Sequence, residues 1–186
     1  RHTDLGVKLI ANESPEYIKA HPEKYREYGL LRWEDGKDHE LPQDFADMLG
    51  WEELAQKVDA IYSSLPNKDQ TLILCDNYGQ AGAINYYSKE GIKAVSFNAD
   101  YINWFDLERP YVNFIRIKEY DERDEDELAK TSPYFEISTL ADSIENRDAR
   151  EFRTRIFVFK GAKIDINERI AKELENRKYP QKTMSK

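Results

Sequence analysis

A glycine-containing turn is the part of the sequence whose residue types and spacing best fit a chemical role. Asn77-x-Gly79-x-x-Gly82 follows an apolar run and resembles the dinucleotide-binding pattern G-x-G-x-x-G, with Asn in place of the first glycine. Asn is the non-glycine residue that best tolerates a left-handed backbone, so the tight turn is compatible with this change. A helix beginning here would offer free N–H groups to an anion. Asp100 ends the next predicted strand, where a ribose-binding acid would lie.

A structural interpretation of the same turn competes with nucleotide binding. Two glycines also allow a helix to pack closely against the preceding strand, and this needs no ligand. Because the pattern lacks one glycine, we favour this architectural role, or a site for something smaller than a nucleotide.

Aromatic side chains follow the same two predicted strands. Tyr78 comes after the first strand, and Tyr101 and Trp104 come after the second. Open α/β sheets place ligands at the carboxyl ends of their strands, and aromatic rings there can stack on a sugar. The predicted ligand-binding residues are Asn77, Tyr78, Gly79, Gln80, Gly82, Asn98, Asp100, Tyr101 and Trp104.

The remaining reactive side chains form no pattern typical of catalysis or metal binding. The histidines His2, His21 and His39 are far apart and lack the spacing of zinc ligands. The lone Cys75 lies in an apolar run, so we expect it to be a small buried hydrophobe. No Ser-His-Asp or Cys-His grouping follows from spacing. We therefore predict no catalytic residue, no metal and no cofactor.

Charged residues point to a solvated, acidic surface. Asp44 and Asp47 share a helical face, and Glu52 and Glu53 fall in a first helical turn, where acids complement the helix dipole. The run from Asp121 to Glu127 is interpreted as a solvated edge. The formal net charge of −8 repels phosphate backbones, so we expect no nucleic-acid partner.

The predicted elements that position these residues alternate between helices and strands. A helix is expected from Trp51 to Ser64, and a continuous apolar strand from Thr71 to Cys75. Strand, glycine-containing turn, helix and strand then form a βαβ unit. Further strands are expected at Lys93–Phe97, Val112–Ile117, Phe135–Leu140 and Arg155–Lys160, before a closing helix at Ile164–Arg177.

This order predicts an α/β fold. The expected architecture is a three-layer Rossmann-like domain with a mostly parallel sheet of about 4–5 strands flanked by helices. A single domain is predicted over residues 1–178, with an irregular N-terminal segment at 1–40, a core at 41–178 and a C-terminal tail at 179–186. No apolar run approaches the ~20 residues that span a bilayer. Arg1 is not an initiator Met and is interpreted as a cut edge.

Several motifs carry a family resemblance. In chain order they are Leu41-Pro42-Gln43, Gly50-Trp51-Glu52-Glu53, Asn77-Tyr78-Gly79-Gln80-Ala81-Gly82-Ala83 and Tyr86-Tyr87. They resemble the C-terminal soluble domain of bacterial polytopic membrane glycosyltransferases, which are similar to dolichyl-phosphate-mannose protein mannosyltransferases and lipid A aminoarabinose transferases. With the segments 95–104 and 146–151, the resemblance covers about residues 41–160. Family members often carry Gly-Pro shortly after the residue matching Trp104, where this chain has Phe105-Asp106-Leu107.

The resemblance implies a polyprenyl-phosphate sugar donor and an acceptor glycosylated in the periplasm or another extracytoplasmic space. The family's catalytic acids lie in a loop between transmembrane helices, so the expected role of this chain is accessory binding or structure. The implied partners are the transmembrane portion of the same polypeptide and a sugar or lipid-linked sugar. The alternative is a free-standing nucleotide- or sugar-dependent α/β enzyme that uses the turn from Asn77 to Gly82. A third possibility is a purely structural role in folding or assembly.

Overall fold

The computed structural model describes residues 13–121 and 126–180. The predictions for His2, for most of the acidic run and for residues 181–186 lie outside this range. The chain divides into two compact units, Arg1–Gly50 with Glu145–Phe152, and Trp51–Ile144 with Arg153–Lys186. A compact unit is defined by its internal contacts and is not by itself an independently folding domain. One domain over residues 1–178 therefore stays a prediction.

From residue 13 onward, the first unit contains three short helices, α1 (Pro15–Ala20), α2 (Pro22–Glu27) and α3 (Gln43–Ala46). Proline occupies a first-turn position in α1 and α2, where its missing N–H costs no hydrogen bond. The helix α2 lies in the segment 1–40, which was expected to be irregular. Ile18, Tyr25, Leu31 and Leu41 form a buried apolar cluster in this unit.

The second unit contains a five-stranded sheet and four helices within the described residues. The strands are β1 (Thr71–Cys75), β2 (Ala94–Ser96), β3 (Asn113–Lys118), β4 (Phe135–Ser143) and β5 (Arg155–Ala162). The helices are α4 (Trp51–Ser64), α5 (Tyr78–Tyr87), α6 (Glu127–Thr131) and α7 (Ile166–Lys178). The strand order is β2-β1-β3-β5-β4. Among the helices described in either unit, none is long and apolar enough to cross a membrane.

The sheet is mixed, so a mostly parallel Rossmann-like sheet is not confirmed. β1 pairs in parallel with β2 and β3, while β5 pairs antiparallel with both β3 and β4. Four strands therefore run in one direction, and β5, inserted between β3 and β4, runs in the other. The apolar run of β5 is typical of a strand buried on both faces, and that burial does not encode the direction of the strand.

Helices cover both faces of this sheet. Leu72, Phe114 and Phe159 are register partners on one face, where they form a core with Ile166 of α7 and Leu128 of α6. Side chains alternate along a strand, so the next register set faces the other way.

The opposite face is covered by α4 and α5. It carries Ile73, Ile115 and Val158, which are all buried. α4 contacts α5, and α5 contacts β1 and β2. The buried residues of these two helices are Leu54, Ala55, Val58, Gln80, Ala81 and Ile84. The predicted β1–α5–β2 unit thus exists and brings the start of α5 to the carboxyl end of β1.

Candidate functional site

The start of α5 is fixed by a capping box. The Asn77 side-chain oxygen accepts a hydrogen bond from the Gln80 backbone N–H at 2.8 Å. The Gln80 side-chain oxygen in turn accepts from the N–H groups of Asp76, at 3.0 Å, and Asn77, at 3.4 Å. Gln80 is fully buried, so its amide satisfies backbone donors that water does not reach. The Gln80 side chain therefore joins the end of β1, the turn and the start of α5.

This geometry corrects the dinucleotide interpretation of the turn. Asn77 has φ −134° and ψ 165°, which is extended rather than left-handed backbone. Its role is to cap the helix, and this is why Asn can stand where the fingerprint has glycine. Neither Gly79 nor Gly82 has a positive φ, so neither is required for a left-handed turn.

Acidic side chains lie beside the same helix start. Glu119 accepts a hydrogen bond from the Asn77 side-chain amide. Asp76 accepts from the Arg116 guanidinium and from the Glu119 backbone N–H, the latter at 2.8 Å. Asp76 forms an ion pair with Arg116, whose side chain is only 17% exposed. A phosphate placed at this helix N-terminus would meet the charge of Glu119, which disfavours binding of a nucleotide diphosphate.

The two glycines of the turn lie under aromatic rings. A Cβ atom on Gly79 would lie 3.3 Å from Cη2 of Trp51, the first residue of α4. A Cβ atom on Gly82 would lie 3.3 Å from the Tyr101 hydroxyl oxygen. The glycines thus let rings approach the helix backbone. The helix α5 contacts β1, but the close approaches at Gly79 and Gly82 are made by these rings rather than by the strand.

An open pocket of about 430 Å³ lies on this side of α5. We call it the aromatic shelf; its lining residues are Trp51, Tyr78, Gly79, Gly82, Ala83, Tyr86, Tyr87 and Tyr101. Tyr86 is 81% exposed and Tyr78 is 62% exposed, so ring faces are available to a ligand. Exposed aromatic rings gathered in one concave area are unusual on a surface that needs no partner.

The predicted binding residues separate into three groups around this shelf. Tyr78, Gly79, Gly82 and Tyr101 line it. Trp104 is next to it, with its ring centroid 5.0 Å from that of Tyr101.

The other predicted residues lie outside the lining. Asn77 and Gln80 form the cap, and Asn98 and Asp100 are exposed at the short helical turn Ala99–Asn103. Between the last two, Ala99 has φ 52°, a left-handed conformation that is strained for a residue with a Cβ atom. Asp100 follows the end of β2 by four residues, and its role in binding stays a prediction.

Sequence reasoning missed Trp51, Ala83, Tyr86 and Tyr87 as members of the site. Gly79, Gly82, Ala83 and Tyr86 are spaced by three or four residues and so share one face of α5. That spacing was visible in the sequence. Trp51 lies in a different helix, and only the packing of α4 on α5 brings it to the shelf.

The shelf offers ring faces and hydroxyl groups rather than a catalytic pair. Within the described residues its lining contains no Asp, Glu, Lys, Arg, His or Cys. No group of three or more His, Cys, Asp and Glu side chains in residues 13–121 and 126–180 could hold a metal ion. Cys75 is 2% exposed, as expected for a small buried hydrophobe. The arrangement is suited to binding an uncharged ligand with an apolar face and peripheral polar groups.

No protein-family model, curated protein or solved structure matches this chain.

Proposed function

We propose that this chain is the extracytoplasmic domain of a membrane glycosyltransferase that uses a polyprenyl-phosphate sugar donor. In that protein it binds an acceptor or another sugar ligand on the aromatic shelf, and the chemical step takes place in the membrane-embedded portion of the same polypeptide. One observation carries the proposal: separate motifs that resemble this family supply the walls of one pocket. Trp51 comes from the motif Gly50–Glu53, Tyr78 and Gly79 come from the motif Asn77–Ala83, and Tyr86 comes from the pair Tyr86-Tyr87.

The chemistry of the shelf supports a sugar as ligand. A pyranose ring has an apolar face of C–H groups, which packs on the flat face of Tyr or Trp, and hydroxyls around its edge. Tyr78 and Tyr86 have exposed rings, and tyrosine can also exchange hydrogen bonds through its hydroxyl. An uncharged lining suits the neutral sugar rather than the phosphate of a lipid-linked donor.

The free-standing nucleotide-dependent enzyme has less support. It requires a phosphate at the start of α5, where Glu119 contacts the capping Asn77. It also requires left-handed turn geometry, which Asn77 does not have. A sugar-dependent enzyme would need an acid or base on the shelf, and the described lining supplies only tyrosine hydroxyls.

The test is an NMR titration of the chain with methyl mannoside, mannose 1-phosphate and a nucleoside diphosphate. We expect saturable binding of the neutral sugar, with shifts at Tyr78, Gly79, Gly82 and Tyr101. Tyr78→Ala should weaken this binding about three- to tenfold, because one stacked ring contributes about 0.5–1.5 kcal/mol. The matched control is Tyr28→Ala, which removes a ring that is 53% exposed in the first unit and should leave binding unchanged.

Other outcomes would reject parts of the proposal. Binding of the nucleotide alone, or turnover by this chain alone, would favour the enzyme. Absence of chemical-shift changes with all three ligands would reject the sugar-binding role and favour a structural one. Placement in a membrane transferase is tested separately, since the coding sequence adjoining Arg1 should then encode several hydrophobic helices. A reading frame without them would contradict that placement while leaving sugar binding open to its own test.

A further inference from the structure

A second cavity lies on the other face of the sheet, between α6 and α7. Its volume is about 300 Å³, at the lower end of the range of pockets that hold small molecules. Its floor comes from strand residues, including Leu72 and Phe135, and one wall comes from Ile166 and Ile170 of α7. We call it the α6–α7 groove. Aliphatic side chains contribute much of its lining, so the groove differs in chemistry from the aromatic shelf.

Two cationic side chains line the groove together with this apolar surface. Lys130 is contributed by α6 and Arg169 by α7. Both are exposed, which places their charged ends at the rim rather than in the floor.

The Arg169 guanidinium is held in place by an aromatic ring. Its Cζ atom lies 4.3 Å from the ring centroid of Tyr134, a cation–π contact that leaves its N–H edges available. Among residues 13–121 and 126–180, no carboxylate forms an ion pair with Arg169. A guanidinium in this state offers a planar pair of donors that matches the two oxygens of a carboxylate.

We propose that the α6–α7 groove binds a medium-chain fatty carboxylate. The hydrocarbon chain occupies the apolar space over Leu72 and Ile170, and the carboxylate lies at the rim against Arg169. The proposal is independent of sugar binding, because the two sites lie on opposite faces of the sheet and share no lining residue.

The experiment is calorimetric titration of the chain with decanoate below its micelle concentration, near neutral pH. Decanol and decyltrimethylammonium have the same chain with a neutral and a cationic head. We expect saturable binding of decanoate, about tenfold weaker binding of decanol, and weaker binding still of the ammonium compound. Isoleucine methyl NMR should place the decanoate shifts at Ile164, Ile166 and Ile170.

Two arginine variants of α7 separate the charge at the rim from general effects on the helix. Arg169→Gln should weaken decanoate binding about tenfold and leave decanol binding unchanged. Arg177→Gln is the matched control, because Arg177 also stacks on a ring, that of Phe97 at 4.5 Å, but does not line the groove. Arg177→Gln should leave the affinity for decanoate unchanged.

Three results would overturn the proposal. The first is absence of saturable decanoate binding, and the second is equal affinity for decanoate and decanol. The third is an equal loss of affinity in both arginine variants, which would show that the guanidinium of Arg169 has no specific part. None of these results bears on sugar binding by the aromatic shelf.

Discussion

The aromatic shelf and the α6–α7 groove lie over opposite faces of one sheet and differ in how they are built. The shelf consists of rings that project from helices already packed through other residues, and Tyr86 is 81% exposed. The groove has walls that belong to the core, since Leu72 is 3% exposed and Phe135 is 5% exposed. The comparison indicates that substitutions in the aromatic shelf cost little stability, whereas substitutions in the walls of the α6–α7 groove are constrained by the packing of the sheet.

The largest expected difference concerns truncation of a wall residue in each site. Leu72→Ala should lower the free energy of unfolding by about 2–5 kcal/mol, because it leaves a cavity in the core. Tyr86→Ala should change it by less than about 0.5 kcal/mol, because the ring is mostly in solvent. Urea denaturation followed by circular dichroism measures both. Equal losses would contradict the distinction between a surface site and a core site.

A smaller effect is expected from the two glycines of the shelf. Gly82→Ala should raise the free energy of unfolding by about 0.5–1 kcal/mol, because alanine favours a helix interior and the Tyr101 hydroxyl can move aside. Gly79→Ala should give no gain, because its Cβ would lie 3.2 Å from the capping oxygen of Asn77 as well as against Trp51. Thermal unfolding of the two variants compares them directly. An equal gain in stability for Gly79→Ala and Gly82→Ala would show that Trp51 and the Asn77 cap can move aside at little cost.

The smallest effect is a pH dependence that compares one tyrosine from each side of the sheet. Burial raises the pKa of Tyr111, which packs against the groove-side core, and the nearby Asp106 raises it further. Burial also raises the pKa of Tyr62 in α4, with added effects of Asp69 and Glu90. A raised pKa in the folded state means that the unfolded chain ionises first. The contribution of these two tyrosines to the free energy of unfolding is therefore fully present below pH 10, the ordinary tyrosine pKa, and is lost as the pH rises above it.

Urea midpoints at a pH of about 8 and about 11 test this expectation. The drop between them should be smaller in Tyr111→Phe and in Tyr62→Phe than in the unsubstituted chain. A larger reduction in Tyr111→Phe would indicate that the groove side is the more tightly packed. A drop that neither variant reduces would contradict a role for these tyrosines in alkaline unfolding.

Local elements were predictable from the sequence because their signals are local. The helix Trp51–Ser64 and the strand Thr71–Cys75 are correct to the residue. The apolar periodicity of the helix and the continuous apolar run of the strand specify them, and Gly50, with φ 84°, marks the boundary before α4. The alternating segment from Phe135 was also correctly predicted as a strand, which lies at the edge of the sheet.

Features that depend on distant residues were not predictable in the same way. The direction of β5 is set by its insertion between β3 and β4, and its buried run Ile156–Phe159 would look the same in a parallel strand. The role of Asn77 depends on the Gln80 amide, and a substituted fingerprint could not distinguish a cap from a left-handed turn. Trp51 reaches the shelf only through helix packing. The sequence therefore located one wall of the candidate site, and tertiary structure added the other.

The connection between β4 and β5 has a consequence for the order of folding. Residues Glu145–Phe152 belong to the first unit although they follow most of the sheet in the chain. Within that unit the Arg150 backbone N–H donates to the Ala46 carbonyl at 3.1 Å, and the Arg150 guanidinium pairs with Asp47 at 3.3 Å. During synthesis on the ribosome, the N-terminal residues emerge first but must wait for about a hundred more before these contacts can close. The part of the protein that is made first is therefore among the last to be completed.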